Sequence, residues 1–172
     1  MPIEHLLSLD ETLVPPLRAL LLLVVANGAP ALGHELFGQW FSYPLDGGWR
    51  IFDGRPLFGP SKTLRGIVLS LAATAAAALV LGLPWTLGAL LAGLSMAGDL
   101  TSSFIKRRLG LPPSSRALLL DPVPESLLPL LVFRARLSLM AWDIAVVVFV
   151  FFVLDQLLSR LLYKLHRRDR PY

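Results

Sequence analysis

Apolar runs of membrane-crossing length, separated by short polar islands, leave this chain few folds to choose from. A helix needs about 20 apolar residues to cross the hydrocarbon of a bilayer. Candidate runs fall at 17–37, 63–82, 84–105, 118–133 and 139–163. With 55% hydrophobic and 16% charged residues, and a mean hydropathy of +0.64, the 172 residues carry more apolar side chain than a soluble domain of this size buries. The expectation is an all-α fold: a polytopic integral membrane bundle of about five transmembrane helices, one domain over residues 1–172. Cysteine is absent, which excludes disulfides and Cys-ligated zinc or iron–sulfur clusters but leaves hard metals on carboxylates open. The N-terminus carries Glu4, Asp10 and Glu11 where a signal peptide needs positive charge, so the first apolar segment is expected to be retained.

Basic residues set an expected orientation. With the C-terminus cytosolic and the N-terminus outside, thirteen of the sixteen Lys and Arg residues fall on the inner side: Arg50, Arg55, Lys62 and Arg65; Lys106, Arg107, Arg108 and Arg116; and five from Arg160 to Arg170. That asymmetry is the positive-inside pattern. The run 118–133 contains Asp121, Glu125 and three prolines, so it either spans or re-enters. Small residues at four-residue spacing, Gly66, Ser70 and Thr74 on helix 2 and Ala89, Gly93 and Ala97 on helix 3, predict close helix contacts. Pro30 frees the carbonyl of Ala26 within helix 1, and Asn27 beside it either bonds freed carbonyls or reaches a ligand.

Two polar islands interrupt the apolar pattern. In the second, Gly98–Gly110, helical spacing puts Asp99, Ser102, Ser103 and Lys106 on one face, with Asp99 about two turns inside the Lys106-Arg107-Arg108 cluster. An unpaired carboxylate at that depth costs about 2–3 kcal/mol on insertion scales, and acids kept there usually have a partner. The basic cluster alone would be a cytosolic anchor; with Asp99 and the hydroxyls above it, a metal–phosphate site is the better reading. The first island, Asp53–Gly66, places Lys62, Thr63 and Arg65 at the start of helix 2, where free N–H groups and the helix dipole make an anion seat. The plain alternative is a basic loop with an ordinary N-cap from Ser61 or Thr63. Asp121, with Glu125 one turn on, adds a second acidic centre that with Asp99 can hold one or two magnesium ions. Glu125 taken alone reads as a solvated acid at a helix start, and Asp155 as part of an anchor helix.

The strings VVANGAP, PLDGG, FDGRPLFGPSKTLRG, AGDLTSSFIKRRLGL and LLLDPVPESLLP, in that order between Val24 and Pro129, resemble CDP-archaeol synthases and their bacterial relatives, distant kin of CDP-diacylglycerol synthases. The resemblance implies cytidylyl transfer from CTP to a lipid phosphate with Mg2+, at the cytosolic face of the cell membrane. Residue by residue, it implies Asp99 and Asp121 as metal ligands and Lys106 as a further catalytic residue. Asn27, Asp53, Arg55, Lys62, Thr63, Arg65, Ser103 and Arg107 would bind nucleotide and phosphate. The chain departs from the family pattern at Pro60 and Ser61, where an acid and a histidine are common, and at Pro122, where a glutamine usually follows the second acid.

An anionic nucleophile needs no Ser–His pair, so His5, His34 and His166 are assigned no role. The partners expected are CTP, a lipid phosphate and the bilayer, with no nucleic acid and a homodimer left open. The competing class is a non-enzymatic anionic-lipid-binding protein or small transporter. Transport is disfavoured because no paired, interrupted helices occur in corresponding halves.

Overall fold

The computed structural model describes the backbone of residues 2–112 and 120–164, with side chains of residues 12–112 and 120–158. Arg116, Pro113 to Ser115, the first two residues of the run 118–133, His5, His166 and the basic side chains from Arg160 onward lie outside the described residues. Five helices follow in order: α1 (Pro2–Phe37), α2 (Leu64–Val80), α3 (Trp85–Arg108), α4 (Pro122–Phe133) and α5 (Ala141–Lys164). No strand occurs among the described residues beyond two isolated bridges, Pro44 with Thr63 and Arg50 with Pro56.

Three helices are long and apolar enough to cross a membrane: Thr12–Phe37, Trp85–Arg108 and Ala141–Leu158. The other two are shorter. At 17 residues α2 sits at the low end of spanning length. With 12 residues α4 rises only about 18 Å, short of the hydrocarbon thickness, which of the two readings open for the run 118–133 favours the re-entrant one. Pro122 starts α4 at a position where its missing N–H costs nothing, and Pro129 lies inside it. At the other ends, α1 begins at Pro2 instead of residue 17, and α3 runs on through Lys106, Arg107 and Arg108.

The apolar core joins Leu22 and Leu23 of α1, Ala78 of α2, Leu91 of α3, Leu130 and Phe133 of α4, and Val147 and Phe151 of α5. On α2 the buried stripe is Gly66, Ser70, Thr74 and Ala78, as its spacing predicts. On α3 the expected stripe is displaced: Ala97 is exposed and a Cβ on Gly93 would meet nothing. The close approaches use Gly88, where a Cβ would lie 2.4 Å from the Thr74 carbonyl oxygen of α2, and Gly98, where it would lie 2.4 Å from the Pro124 carbonyl oxygen of α4. Both faces of α3 are thus in contact, and a four-residue repeat read in one register finds only one of them. The Ala26 carbonyl freed by Pro30 accepts a 2.7 Å bond from the Ser70 hydroxyl of α2. A polar group from a neighbouring helix therefore replaces the missing intrahelical donor.

Candidate functional site

Between α1 and α2 the first island folds on itself before it meets anything else. Asp46 organises it: Oδ1 accepts from the Gly48 N–H at 3.1 Å, and Oδ2 accepts from the N–H groups of Phe58 and Gly59, each at 2.9 Å. Burial opposes the charge on Asp46, but the N–H bonds from Gly59, Phe58 and Gly48 outweigh it and hold the carboxyl below its usual range. Along the chain Asp46, followed by Gly47 and Gly48, reads only as a turn signal. The ends of the loop are drawn together by the bonds Leu45 N–H to Lys62 O, 2.7 Å, and Leu64 N–H to Tyr43 O, 3.1 Å.

A clamp then ties this loop to the end of α3. Arg108 Nη1 lies 2.7 Å from Asp53 Oδ1, its Nη2 donates to the Pro56 carbonyl at 2.6 Å, and its guanidinium sits 5.2 Å from the Phe104 ring centroid. Arg55 Nη1 donates to the carbonyls of Arg107, 3.3 Å, and Arg108, 2.6 Å, in the last turn of the helix, where the Arg107 carbonyl also accepts from the Gly110 N–H at 3.1 Å. Asp53 carries an internal Asx bond from the Arg55 N–H, and this bond, with Arg108 beside it, lowers its carboxyl against a small desolvation penalty. Arg65 donates to the carbonyls of Gly38, 3.0 Å, and Trp40, and so ties down the chain leaving α1. Thr63 is the N-cap of α2, its hydroxyl accepting from the Gly66 N–H at 3.1 Å. Of the residues expected to bind phosphate, Asp53, Arg55, Thr63 and Arg65 are thus each engaged in holding loop to helix.

Deeper in, two ion pairs form, one joining the two islands and one joining the second island to the start of α4. Lys62 Nζ lies 2.5 Å from Asp99 Oδ2, and Lys106 Nζ lies 2.6 Å from Asp121 Oδ1. Asp99 thereby has the partner that its depth demands. Lys106 and Arg107 are only 6% and 4% exposed, so the plain anchor reading of the basic cluster fails for them. Ser102 donates to its own helix at the Asp99 carbonyl, whereas Ser103 Oγ is buried with no hydrogen-bond partner. Glu125, read from sequence as a solvated acid, is 8% exposed, and the charges acting on it are Asp99, Lys62, Asp155 and Asp121. Gly98 is the reason: without a Cβ there, the backbone of Pro124 and Glu125 settles directly on α3 beside Asp99. Spacing alone could not find this contact, because it joins α3 to α4.

Arg107 links these pairs to an open cleft of about 490 Å³, lined by Asp46, Arg50, Arg55, Gly59, Arg107 and Pro112 among others. One guanidinium nitrogen donates to the Pro112 carbonyl at 2.9 Å, and its buried Nε and Nη1 have no partner. Asn27 lies elsewhere. Its amide donates to the Leu23 carbonyl and to Ser95 Oγ, both at 3.0 Å, one turn deeper along α3 than Asp99. Of the two readings open from sequence, the bonds seen are those of helix-to-helix attachment.

No group of three or more His, Cys, Asp or Glu residues able to hold a metal occurs among the described residues. Two hard carboxylates with lysines against them are nonetheless a donor set that magnesium accepts, because it typically takes one or two carboxylates and completes its shell with phosphate oxygens and water.

Known proteins resemble this chain in sequence and in fold. The family model described as CarS-like, CDP-archaeol synthase, matches residues 82–172. The CDP-archaeol synthase of Hyperthermus butylicus is 37% identical over 118 residues, covering 63% of this chain and 67% of that protein. That of Pyrobaculum calidifontis is 30% identical over 153 residues, covering 86% of this chain and 91% of its own. Among solved structures, one described as an intramembrane enzyme for archaeal membrane lipids biosynthesis superposes with a TM-score of 0.70 at 28% identity, over 80% of this chain and 88% of that one. This membrane helix bundle, with its two polar islands joined by Lys62 and Asp99, belongs to the CDP-archaeol synthase family.

Proposed function

We propose that this protein transfers the cytidylyl group of CTP to the phosphate of a membrane lipid, releasing pyrophosphate and leaving a CDP-activated lipid for phospholipid biosynthesis. The observation that carries this reading is the pairing of Lys62 with Asp99 between the two islands and of Lys106 with Asp121 at the start of α4, in a chain whose relatives are named CDP-archaeol synthases. Simple lipid binding accounts for surface arginines but not for two lysine–carboxylate pairs withdrawn from solvent.

In the reaction a lipid phosphate oxygen attacks the α-phosphorus of CTP. The bond from that phosphorus to the α–β bridging oxygen breaks, and pyrophosphate leaves with the electron pair. The nucleophile is already anionic, so the work of the site is to neutralise repelling charges and align them. The Lys62 ammonium has three donors and places one on Asp99, which leaves N–H groups for phosphate oxygens. Lys62 steadies the triphosphate, while Lys106 and Arg107 receive the lipid headgroup, Arg107 through the Nε and Nη1 that lack a protein partner. Ser103 Oγ, buried without a partner, supplies a further hydrogen bond to phosphate. Asp99 and Asp121 would hold Mg2+, which when bound screens phosphate charge and polarises the phosphoryl group.

The basic residues favour a cytosolic site with the N-terminus outside, in the cytoplasmic membrane. The test is direct. Purified protein is mixed with labelled CTP, magnesium and a panel of lipid phosphates, and pyrophosphate and CDP-lipid are measured. Absence of both with phosphatidate and with archaeal-type ether phosphates would leave anionic-lipid binding as the better account.

A further inference from the structure

The chain has four tryptophans, and all four are exposed: Trp40, Trp49, Trp85 and Trp142. Trp85 opens α3 and Trp142 lies in the first turn of α5, at the end of the bundle away from the site. Trp40 and Trp49 belong to the loop at the site end. The 24 residues of α3 rise about 36 Å, so the two pairs stand roughly a bilayer apart. Tryptophan and tyrosine concentrate at the two membrane–water interfaces.

At the site end the aromatic surface is dense. Trp40, Phe41, Tyr43, Trp49 and Phe52 are all largely exposed, and Phe52, beside the Asp53–Gly54 turn, is fully so. Phe41 is held at φ 57°, a conformation that bulky L residues rarely adopt, while Arg65 grips the carbonyls of Gly38 and Trp40 on its N-terminal side. Asp46 and the Arg108–Asp53 clamp hold the rest of the loop in shape. A rigid polar loop that presents apolar rings outward is built for an apolar surface. Both ends of this loop enter helices of the bundle, α1 and α2, and exposed Arg50, between Trp49 and Phe52 in the chain, donates to the Gly54 carbonyl at 3.1 Å and lines the cleft.

We infer that residues 40–52 dock into the headgroup–acyl boundary of the bilayer that holds α1, with Trp40, Phe41, Trp49 and Phe52 in the interface and Arg50 at the level of the lipid phosphates. The occupant is a lipid surface, identified by its continuity with the membrane helices on both sides and by the cation between Trp49 and Phe52 in the chain. On the reading of cytidylyl transfer, the consequence is that the cleft lined by Arg50, Arg55 and Arg107 opens at headgroup height, where a lipid phosphate reaches it without leaving the bilayer.

The full chain is reconstituted into phosphatidylcholine–phosphatidylglycerol vesicles with Trp49 as its only tryptophan, by Trp40→Phe, Trp85→Phe and Trp142→Phe. Docking requires blue-shifted emission, stronger quenching by lipids brominated just below the headgroup than by lipids brominated near the chain end, and protection from aqueous iodide. Quenching by iodide with indifference to brominated lipid overturns it. Emission indifferent to both quenchers also overturns it, and indicates contact with a second copy of the chain. Because the chain has no cysteine, Phe52→Cys carries a single spin label as a second measurement. That label should relax more with dissolved oxygen than with a water-soluble nickel chelate, and the reverse order rejects the docking. Neither readout involves transfer activity, so loss of this inference and loss of the proposed reaction are told apart.

Discussion

The inner and outer ion pairs use the same charges to opposite ends. Outside, Arg108 and Arg55 engage Asp53 and several backbone carbonyls, so the guanidinium forks are largely taken up by the protein. Inside, Lys62 and Lys106 each meet one carboxylate oxygen, with side chains 22% and 8% exposed. A planar fork with many fixed acceptors locks geometry, whereas an ammonium on a flexible stem exchanges one oxygen for another without rebuilding its surroundings. The outer contacts therefore hold the frame, and the inner ones can exchange a carboxylate for a phosphate oxygen.

That contrast breaks most sharply at Asp99. Asp99→Asn should lower cytidylyl transfer by on the order of 100-fold or more while the protein still extracts as a folded species, measured by CDP-lipid formation and size-exclusion profile. Undiminished turnover would remove the inner pair from the chemistry. Lys106→Met comes next, with an expected loss of about 10- to 100-fold and a lower midpoint of thermal unfolding, because Asp121 is left without its cation in a largely buried setting.

Gly98→Ala tests whether the α3–α4 approach positions the inner site. A Cβ there runs into backbone of Pro124, so a destabilisation of about 1–3 kcal/mol is expected, with activity falling alongside it. Gly93→Ala, in open space on the same helix, should change neither.

The loop itself gives a pH signature. The folded pKa of Asp46 is lowered, so its stabilisation is present above the unfolded value of about 3.9 and is lost as pH falls through the folded value. Thermal midpoints of wild type and Asp46→Ala should differ at neutral pH, by on the order of 1–2 kcal/mol, and converge at strongly acidic pH. The smallest effect belongs to the outer clamp. Breaking its exposed ion pair with Asp53→Ala should lower the thermal midpoint only slightly. A loss of transfer as deep as that of Asp99→Asn would erase the distinction between frame and site.

How far the sequence was legible varies by residue. Asp99, Lys106 and the hydroxyls between them sit on one helix, and a 3.6-residue period is enough to group them. The pairing of Lys62 with Asp99 was only implied by the demand for a partner at depth, because the two are 37 positions apart. Glu125 was misread, since an acid at a helix start is ordinarily solvated and only the Gly98 contact buries it. Asp53, Arg55, Thr63 and Arg65 were grouped with the phosphate ligands by their place in the motif. Their hydrogen bonds show them bracing the loop.

Local chemistry decided, before any folding, that this chain is helical and lipid-embedded, that two polar islands interrupt it and in what order they come. Apolar length and helical period are properties of consecutive residues, so they can be read along the chain. Which charge faces which was left to the tertiary structure. An ion pair depends on two side chains arriving within about 3 Å of each other from distant positions, and that is governed by where Gly88 and Gly98 let helices approach and how Asp46 folds the loop between them.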